Sequence, residues 1–253
     1  AKDKENNDMS LYDWYAKALS DNKQILQRIT NVLVADSAFS KKPFIDNMLG
    51  IGFNVVSRLR HDAALYYLWE GDPTGKPGRP RVKGEKIDFK NIDKSKVAIL
   101  DTDESNGQVY ALKAWCKSLH RKISLVIHIL PKGGHRLYFS TDESMSGRDV
   151  MEYYCTRFQI EFCFRDAKQF VGLTDSQARD TRKLDFAFNS SFTAVNVAKI
   201  MCSEYNLSIG RLKALIINAY YAQRIIDVFE NNPNTQLNHE IVNEIFGFAA
   251  DAA

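Results

Sequence analysis

Apolar and polar positions along the first sixty residues predict two parallel strands separated by a helix. Residues 9–30 carry apolar side chains at helical spacing and predict an amphipathic helix. The VLV run at 32–34 and the FNVVSRL segment at 53–59 are nearly continuously apolar, as in strands buried on both faces. Residues 40–52 between them predict a helix, and a strand–helix–strand unit of this kind is expected to be parallel and right-handed.

The period falls to about two in the middle of the chain, which is typical of antiparallel strands. The predicted strands are 96–100, 108–115, 122–129 and 136–140, and Trp115 within them is interpreted as a core residue. Residues 71–86 come first and hold three of the six prolines, four glycines and five basic side chains. We expect a flexible basic loop there.

In the third part of the chain, the apolar residues recur at the spacing of helices. Ser146 can cap the start of a helix, and neither Pro nor Gly occurs between Arg148 and Phe170, so residues 146–171 predict one long helix. Further helices are predicted at 184–204, 208–230 and 239–248.

The long predicted helix groups a carboxylate with cations. At about 100° per residue, Tyr154, Arg157, Glu161 and Lys168 share one stripe, with Arg165 beside them. A carboxylate that can bind a metal, flanked by cations that can hold phosphate oxygens, suits a phosphate-handling site. The alternative is a solvated face with ordinary ion pairs between residues four apart.

The same residues carry a family resemblance. The pattern Tyr154-x2-Arg157-x3-Glu161-x6-Lys168 resembles the signature of bacterial insertion-sequence transposases of the DDE type, in the group named for Tyr, Arg, Glu and Lys. The segments FSTD at 139–142, RFQIEFCFRDAKQF at 157–170 and GLTDSQAR at 172–179 are also similar to that family. The likeness extends from about residue 14 to about residue 222.

The resemblance implies an α/β fold, namely a ribonuclease-H-like transposase core with an inserted antiparallel β subdomain and a helical C-terminal region. The expected parts are the beginning of the core at 1–70, the basic loop and β insertion at 71–142, and the signature helix with the C-terminal helices at 143–253. The implied activity is DNA strand cleavage and strand transfer with Mg²⁺ or Mn²⁺.

Site residues follow from the resemblance and from position. Asp36 ends the first predicted strand, where open α/β sheets bind ligands, and the resemblance makes Asp36 and Glu161 the catalytic and metal-binding carboxylates. Capping of the next helix is the alternative role for Asp36, and Ser40 competes for it. The residues expected to contact DNA are Tyr154, Arg157, Arg165 and Lys168, Arg58 and Arg60 after the second strand, and Lys76, Arg79, Arg81 and Lys83 in the basic loop.

Part of the family pattern has no counterpart here. Only two core strands precede the insertion, whereas the family has three earlier strands and a first catalytic Asp. We therefore expect the C-terminal portion of a longer transposase, inactive alone because a two-metal site needs the third acid. The alternatives are a noncatalytic DNA-binding or dimerising fragment that inhibits its full-length relative and, least favoured, an unrelated metal-dependent hydrolase.

The amino-acid composition restricts the possible partners and cellular compartment but does not identify a function. The 253 residues are 45% hydrophobic, and their net charge of +3 permits an anionic partner without requiring one. The four cysteines lack CxxC spacing, which fits a reducing cytoplasm, and the resemblance implies a bacterial, nucleoid-associated protein. No apolar run approaches the roughly 18 residues of a membrane span. The expected partners are the double-stranded DNA of transposon ends and a second copy of the chain, with no membrane.

Overall fold

A computed structural model describes residues 9–71, 80–101 and 107–231. The chain divides into two compact units, Ala1–Phe158 and Gln159–Ala253, and each is described by itself. The three-part division expected from the sequence stays a prediction.

The first unit has helices on both faces of a mixed sheet. Its helices are α1 (Leu11–Asp21), α2 (Lys23–Leu26), α3 (Lys42–Gly50) and α4 (Gly147–Cys155). Its strands are β1 (Val32–Val34), β2 (Asn54–Leu59), β3 (Leu65–Leu68), β4 (Lys83–Lys86), β5 (Ala98–Asp101), β6 (Gln108–Cys116), β7 (Arg121–Ile129) and β8 (His135–Ser140).

The strand order of the sheet is β1-β2-β8-β7-β6-β3-β4, and β5 pairs with β6 outside this path. The β1–β2 pair is parallel, with Val34 opposite Val56, and the other pairs are antiparallel. The predicted parallel pairing of the first two strands and the antiparallel pairing of the later ones are therefore confirmed, and so is the mixed α/β class. Among the described residues, β1 pairs on one side only and forms an edge of the sheet.

Side chains of β2, β6, β7 and β8 alternate between two apolar layers. Leu125 and Phe139 face the larger core, where Phe44, Ile45 and Met48 of α3 are buried. The opposite face of the sheet is covered by α4. Alternation of this kind is what a sheet packed on both faces requires.

The packing of α4 on the sheet is unusually close at its first residue. A Cβ placed on Gly147 would lie 2.4 Å from Cβ of Ala111 and 2.8 Å from Cδ1 of Leu100. Val150 and Tyr154 continue the contact as buried residues of the same cluster. Glycine at 147 thus lets the helix axis approach the sheet more closely than a larger residue would permit.

The single long helix predicted at 146–171 is wrong. The structure has α4, ending at Cys155, and α5 (Phe158–Phe170). The hydroxyl of Thr156 donates to the carbonyl of Tyr153 at 2.7 Å, and N–H of Arg157 donates to the carbonyl of Tyr154 at 3.1 Å. These short-range bonds tighten the last turn of α4 and end its regular hydrogen-bond ladder.

The basic loop predicted through residue 86 is also corrected, because Lys83–Lys86 forms β4, and β3 was missed altogether. The KGEK sequence of β4 has no apolar alternation that could signal a strand. Its strand conformation comes from backbone pairing with β3, in which Lys83 lies opposite Leu68. Such pairing is a tertiary effect that local sequence does not report.

The second unit consists of helices in the part that the structure describes. They are α5 apart from its first residue, α6 (Thr181–Tyr205) and α7 (Ile209–Asn231). Ala167, Leu173 and Val195 form its small core. The helix predicted at 239–248 lies outside the described residues. Among the described helices, none is both long and apolar enough to cross a membrane.

The close approach at Gly147 gives a stability test. Gly147→Ala should lower the free energy of unfolding by about 1–3 kcal/mol, because the added methyl group overpacks a filled interface. Gly50→Ala is the matched control, since a Cβ there meets no atom within 4 Å. It should be neutral or stabilising by up to about 1 kcal/mol. Equal stability of the two variants in urea denaturation would contradict the packing argument.

Candidate active site

Asp36 lies at the carboxyl end of β1, where its backbone is fixed to the neighbouring strand. Its carbonyl accepts from the hydroxyl of Ser57 at 3.1 Å. The hydroxyls of Ser57 and Ser40 are 2.9 Å apart, and that of Ser40 also donates to the carbonyl of Arg58 at 2.9 Å. The hydroxyl pair therefore holds the end of β1 against β2.

The side chain of Asp36 is exposed and begins a short 3₁₀ helix. Its Oδ1 accepts from N–H of Ser37 at 2.7 Å, which is capping geometry. The alternative role, capping of the helix predicted at 40–52, is not realised, because Lys41 occupies the N-cap position of α3 and Asp36 caps the 3₁₀ turn instead. Capping engages one oxygen, and the structure gives Oδ2 no hydrogen-bond partner among the described residues. The capping role is compatible with a second ligand for the carboxylate.

Tyr154 reaches the same end of the sheet from the last turn of α4. Its ring is buried and packs on the ring of Tyr138, with 4.9 Å between the centroids and 53° between the planes. Tyr138 is paired with Arg58 in the β2–β8 register. Arg58 and Tyr138 thus lie side by side under the helix.

Several charged side chains are close enough to Tyr154 to affect the pKa of its hydroxyl. Burial raises the pKa of the Tyr154 hydroxyl, while the positive charges of Arg58 and Arg157 oppose the rise and Asp36 adds to it. The first unit therefore brings Asp36, Arg58, Tyr154 and Arg157 into one electrostatic neighbourhood. A neutral phenol between two guanidinium groups is a hydrogen-bond donor suited to phosphate oxygens.

Arg157 is half-buried in the two-residue connection after α4. Its guanidinium lies 4.7 Å from the centroid of the Phe158 ring. Stacking on an aromatic ring restricts a guanidinium without neutralising its charge. The positive charge of Arg157 thus lies just after the last turn of α4, the turn that holds Tyr154.

Glu161, Arg165 and Lys168 belong to the second unit and are exposed on α5. Their spacing within this continuous helix places all three on one face. Arg165 contacts Asp166 at 3.2 Å and lies 4.8 Å from the centroid of the Phe162 ring. Glu161, Arg165 and Lys168 therefore share one face of α5, as the sequence predicted. The extension of this stripe back to Tyr154 required an unbroken helix, which the structure does not have. The juxtaposition of Asp36 and Glu161 stays a prediction.

The remaining cations predicted to contact DNA lie elsewhere. Arg60 is exposed and forms an ion pair with Asp62 at 3.2 Å, as surface arginines often do. Lys83 is the first residue of β4, and Arg81 precedes it by two residues. In the strand order of the sheet, β4 lies at the opposite end from β1. Lys76 and Arg79 lie outside the described residues.

Asp142 is a further carboxylate that topology keeps away from Asp36. It follows β8, which is antiparallel to β2, so it lies beside the opposite end of β2. Hydrogen bonds from the N–H and hydroxyl of Ser144 lower its pKa. Four residues along β2 separate the two positions, which corresponds to about 13 Å. Asp142 therefore cannot share an ion with Asp36.

The carboxylates do not by themselves form a metal centre. Within residues 9–71, 80–101 and 107–231, no group of three or more His, Cys, Asp or Glu side chains converges as an ion site. The first unit contributes Asp36 alone at the end of β1. A two-metal site would need further carboxylates at this position.

Sequence reasoning missed the supporting contacts of this site. The Ser40–Ser57 pair gave no signal, because isolated serines in a strand and a loop are common. The structure also places the ring of Tyr138 against that of Tyr154. In the sequence, only the alternating pattern of its strand indicated which face of the sheet Tyr138 occupies.

Comparison with known proteins agrees with the geometry. The family model described as "Transposase DDE domain" matches residues 16–197, about seven-tenths of the chain. A search of curated proteins found no match.

The burial of Tyr154 gives a pH test. The pKa of its hydroxyl is higher in the folded state, so its stabilising contribution is full below the unfolded value near 10 and is lost as pH rises through the folded value. Tyr154→Phe should keep the ring packing and remove this loss. In urea denaturation, the difference in stability between wild type and variant should shift in favour of the variant above pH about 10. A difference that is independent of pH would contradict the burial argument.

Proposed function

Because the chain belongs to the transposase DDE domain family, we propose that it is the C-terminal portion of a DNA transposase catalytic domain of the Tyr–Arg–Glu–Lys group. Its full-length parent cuts DNA by hydrolysis and joins it by transesterification. The observation that carries the proposal is the gathering of Asp36, Arg58, Tyr154 and Arg157 at one end of β2. The mixed sheet with helices on both faces is consistent with a ribonuclease-H-like core.

Glu161 is proposed as the second carboxylate of this site. It lies three residues after Phe158, where α5 begins, and thus one helical turn along α5. The chain leaves α4 at the Asp36 end of the sheet, because Tyr154 in the last turn of α4 is there. The role of Glu161 itself is the one that the family pattern implies.

The third carboxylate is proposed to come from a strand added at the edge of β1. The described part of the chain pairs β1 with β2 alone, so the other edge of β1 can accept a strand. A parallel strand there would end beside Asp36. With that acid, Asp36 and Glu161 would hold the divalent metal of this family, Mg²⁺ or Mn²⁺, which supplies Lewis-acid activation of the reacting oxygens.

The cations and the phenol are proposed to hold the DNA rather than to react. Arg58 and Arg157 present positive charge that can bind phosphate oxygens at the transposon end. The Tyr154 hydroxyl is neutral at physiological pH, since its ordinary pKa is about 10 and burial raises that pKa further, so it can donate a hydrogen bond. Arg165 and Lys168 extend positive charge along the face of α5 that carries Glu161. Lys76, Arg79 and Arg60 are proposed as weaker backbone contacts.

In the full-length parent, Glu161→Gln and Asp36→Asn should each abolish cleavage of transposon-end DNA while sparing DNA binding. Each change removes a charged metal ligand with little change in shape. Asp142→Asn is the control, because that carboxylate lies at the other end of β2, and it should cleave at the wild-type rate. Cleavage that persists in Glu161→Gln would remove Glu161 from the proposed site.

Residues 1–253 alone should show little or no strand cleavage with Mg²⁺ or Mn²⁺. Among the described residues no third acid completes the proposed site, and two carboxylates would hold a single ion only loosely. The assay is nicking of end-sequence DNA by the purified chain. Robust cleavage that Asp36→Ala abolishes would show that the missing-acid argument is wrong.

A noncatalytic dimerising role is the second proposal, and one observation favours it. Large apolar side chains are exposed on α6 and α7, namely Val197, Ile200, Ile216, Tyr220 and Ile226. Exposed apolar groups in this number are typical of a surface that becomes covered in an assembly. A chain that pairs with its full-length relative through these helices would inhibit it by forming mixed complexes.

Self-association through α7 can be tested by sedimentation. Ile216→Asp should shift the chain from dimer to monomer, because it places a charge in an apolar contact. Asn218→Asp adds the same charge at an exposed polar position of the same helix and should leave the dimer intact. A wild-type chain that sediments as a monomer at all concentrations would exclude this proposal.

A further inference from the structure

The second unit has an apolar groove between α6 and α7, which we call the α6–α7 groove. Its volume is about 510 Å³. Val197 and Met201 line it from α6, and Leu212 and Ile216 line it from α7. Lys213 is the one charged side chain among the lining residues in the described part of the chain. The groove therefore suits an apolar occupant that carries a negative charge at its rim.

Several side chains along this groove remain in contact with water. Val197 is 51% exposed and Ile216 is 55% exposed, whereas Leu212 is buried. Contiguous apolar side chains on a surface mark a place where another segment or molecule packs. The α6–α7 groove thus needs a covering element.

The sequence after α7 contains an element with the matching pattern. Residues 239–248, HEIVNEIFGF, are the predicted helix that follows α7. Ile241, Ile245 and Phe248 fall within about 60° of one another at helical spacing. Positions i, i+4 and i+7 are the ones that an amphipathic helix inserts into an apolar groove. This segment therefore has the anchors that the groove can accept.

The charges of the segment and the groove are complementary. Glu240 and Glu244 are four residues apart, so they lie on one side of the predicted helix, next to its apolar face. Lys213 supplies positive charge to the groove, and no carboxylate lines it among the described residues. Opposite charges at the rim favour this segment over an apolar helix with basic flanks.

The residues between α7 and the segment are long enough for the chain to return to the groove. Ile217 precedes the end of α7 at Asn231 by 14 residues, which is about 21 Å along the helix axis. Residues 232–238 join Asn231 to the segment, and eight peptide links can span about 26 Å. The Asn-Pro pair at 232–233 is a turn signal, which favours reversal of the chain there.

The segment also matches the groove in length. The lining residues of α7 run from Ile209 to Ile217, which is about 12 Å of helix. A helix of ten residues is about 15 Å long. A chain that returns along α7 would thus cover the whole groove with residues 239–248.

We propose that residues 239–248 form an amphipathic helix that docks in the α6–α7 groove of the same chain. Docking within one chain is favoured over docking on a second copy, because a short linker holds the segment at a high effective concentration. The docked helix covers Ile216, so docking competes with the pairing of copies through α6 and α7. The proposal does not depend on transposase activity.

The test is hydrogen exchange of the full chain, followed by mass spectrometry of peptides that cover residues 239–248. A free helix of ten residues is marginal in water, so an undocked segment should exchange at the unstructured rate. Docking should slow the exchange of its backbone amides. The slowing should be the same when the protein is diluted about tenfold, because docking within one chain is independent of concentration.

Matched substitutions locate the contact. Ala194→Glu should return the segment to the unstructured rate, because it places a charge in the groove without opening a cavity. Ala214→Glu makes the same change at an exposed position of α7 outside the lining and should keep the slow exchange. Within the segment, Ile245→Asp should abolish the slow exchange, whereas Asn243→Asp, on the opposite face of the helix, should keep it.

Three results would overturn the proposal. The first is exchange of residues 239–248 at the unstructured rate in the wild-type chain. The second is slow exchange that persists in Ile245→Asp or in folded Ala194→Glu, which would show that the segment packs elsewhere. The third is slow exchange that disappears on dilution, which would make a second copy the occupant. Circular dichroism identifies any loss of folding, and Ile245→Asp, which leaves the groove unchanged, keeps the test valid if Ala194→Glu does not fold. Failure of the catalytic assignments would leave this test unaffected, since it involves neither DNA nor cleavage.

Discussion

The close contact between the start of α4 and the sheet determines where the chemistry-bearing residues of the first unit can lie. Gly147 lets α4 approach Ala111 and Leu100 at contact distance, and the helix then runs across the sheet to Tyr154. Asp36 reaches the same end for an independent reason, because β1 is parallel to β2. Parallel pairing of one strand and the direction of one helix are together sufficient to bring acid, phenol and arginines together.

The break after α4 changes the meaning of the sequence motif. On one unbroken helix, the spacing of Tyr154, Arg157 and Glu161 would itself place them on one stripe. Thr156 and Arg157 instead form the connection between two helices, so the spacing across them carries no angular information. The motif is better understood as two parts. The first part packs Tyr154 between α4 and the sheet, and the second part places Glu161 on α5.

Sequence patterns predicted the parts of the fold in which local and tertiary preferences agree. β2 was recognised because its nearly continuous apolar run matches a strand buried on both faces, and β7 because of the period of about two in its part of the chain. β4 was missed because KGEK is polar and depends on pairing with β3 and on the glycine beside it. The helix break was missed because Thr156 acts through a hydroxyl bond to the preceding turn, which neither Gly nor Pro announces. At the site, Asp36 and Arg58 could be found from strand ends, while the serines that hold them could not.

The cations at the start of β4 and the Asp36 end of the sheet are too far apart to act on one phosphate. Five strand spacings separate β2 from β4, and four residues along β6 separate the row of Arg58 from the row of Trp115. At about 4.8 Å per strand and 3.3 Å per residue, the two regions are about 27 Å apart. That distance corresponds to about eight phosphate steps of a DNA strand. Under the proposed function, cations at β4 would contribute only to the affinity and register of a duplex, and the barrier to strand cleavage would depend on groups near Asp36. Because the two sets share no residues, substitutions in one set are expected to add to those in the other rather than compensate for them.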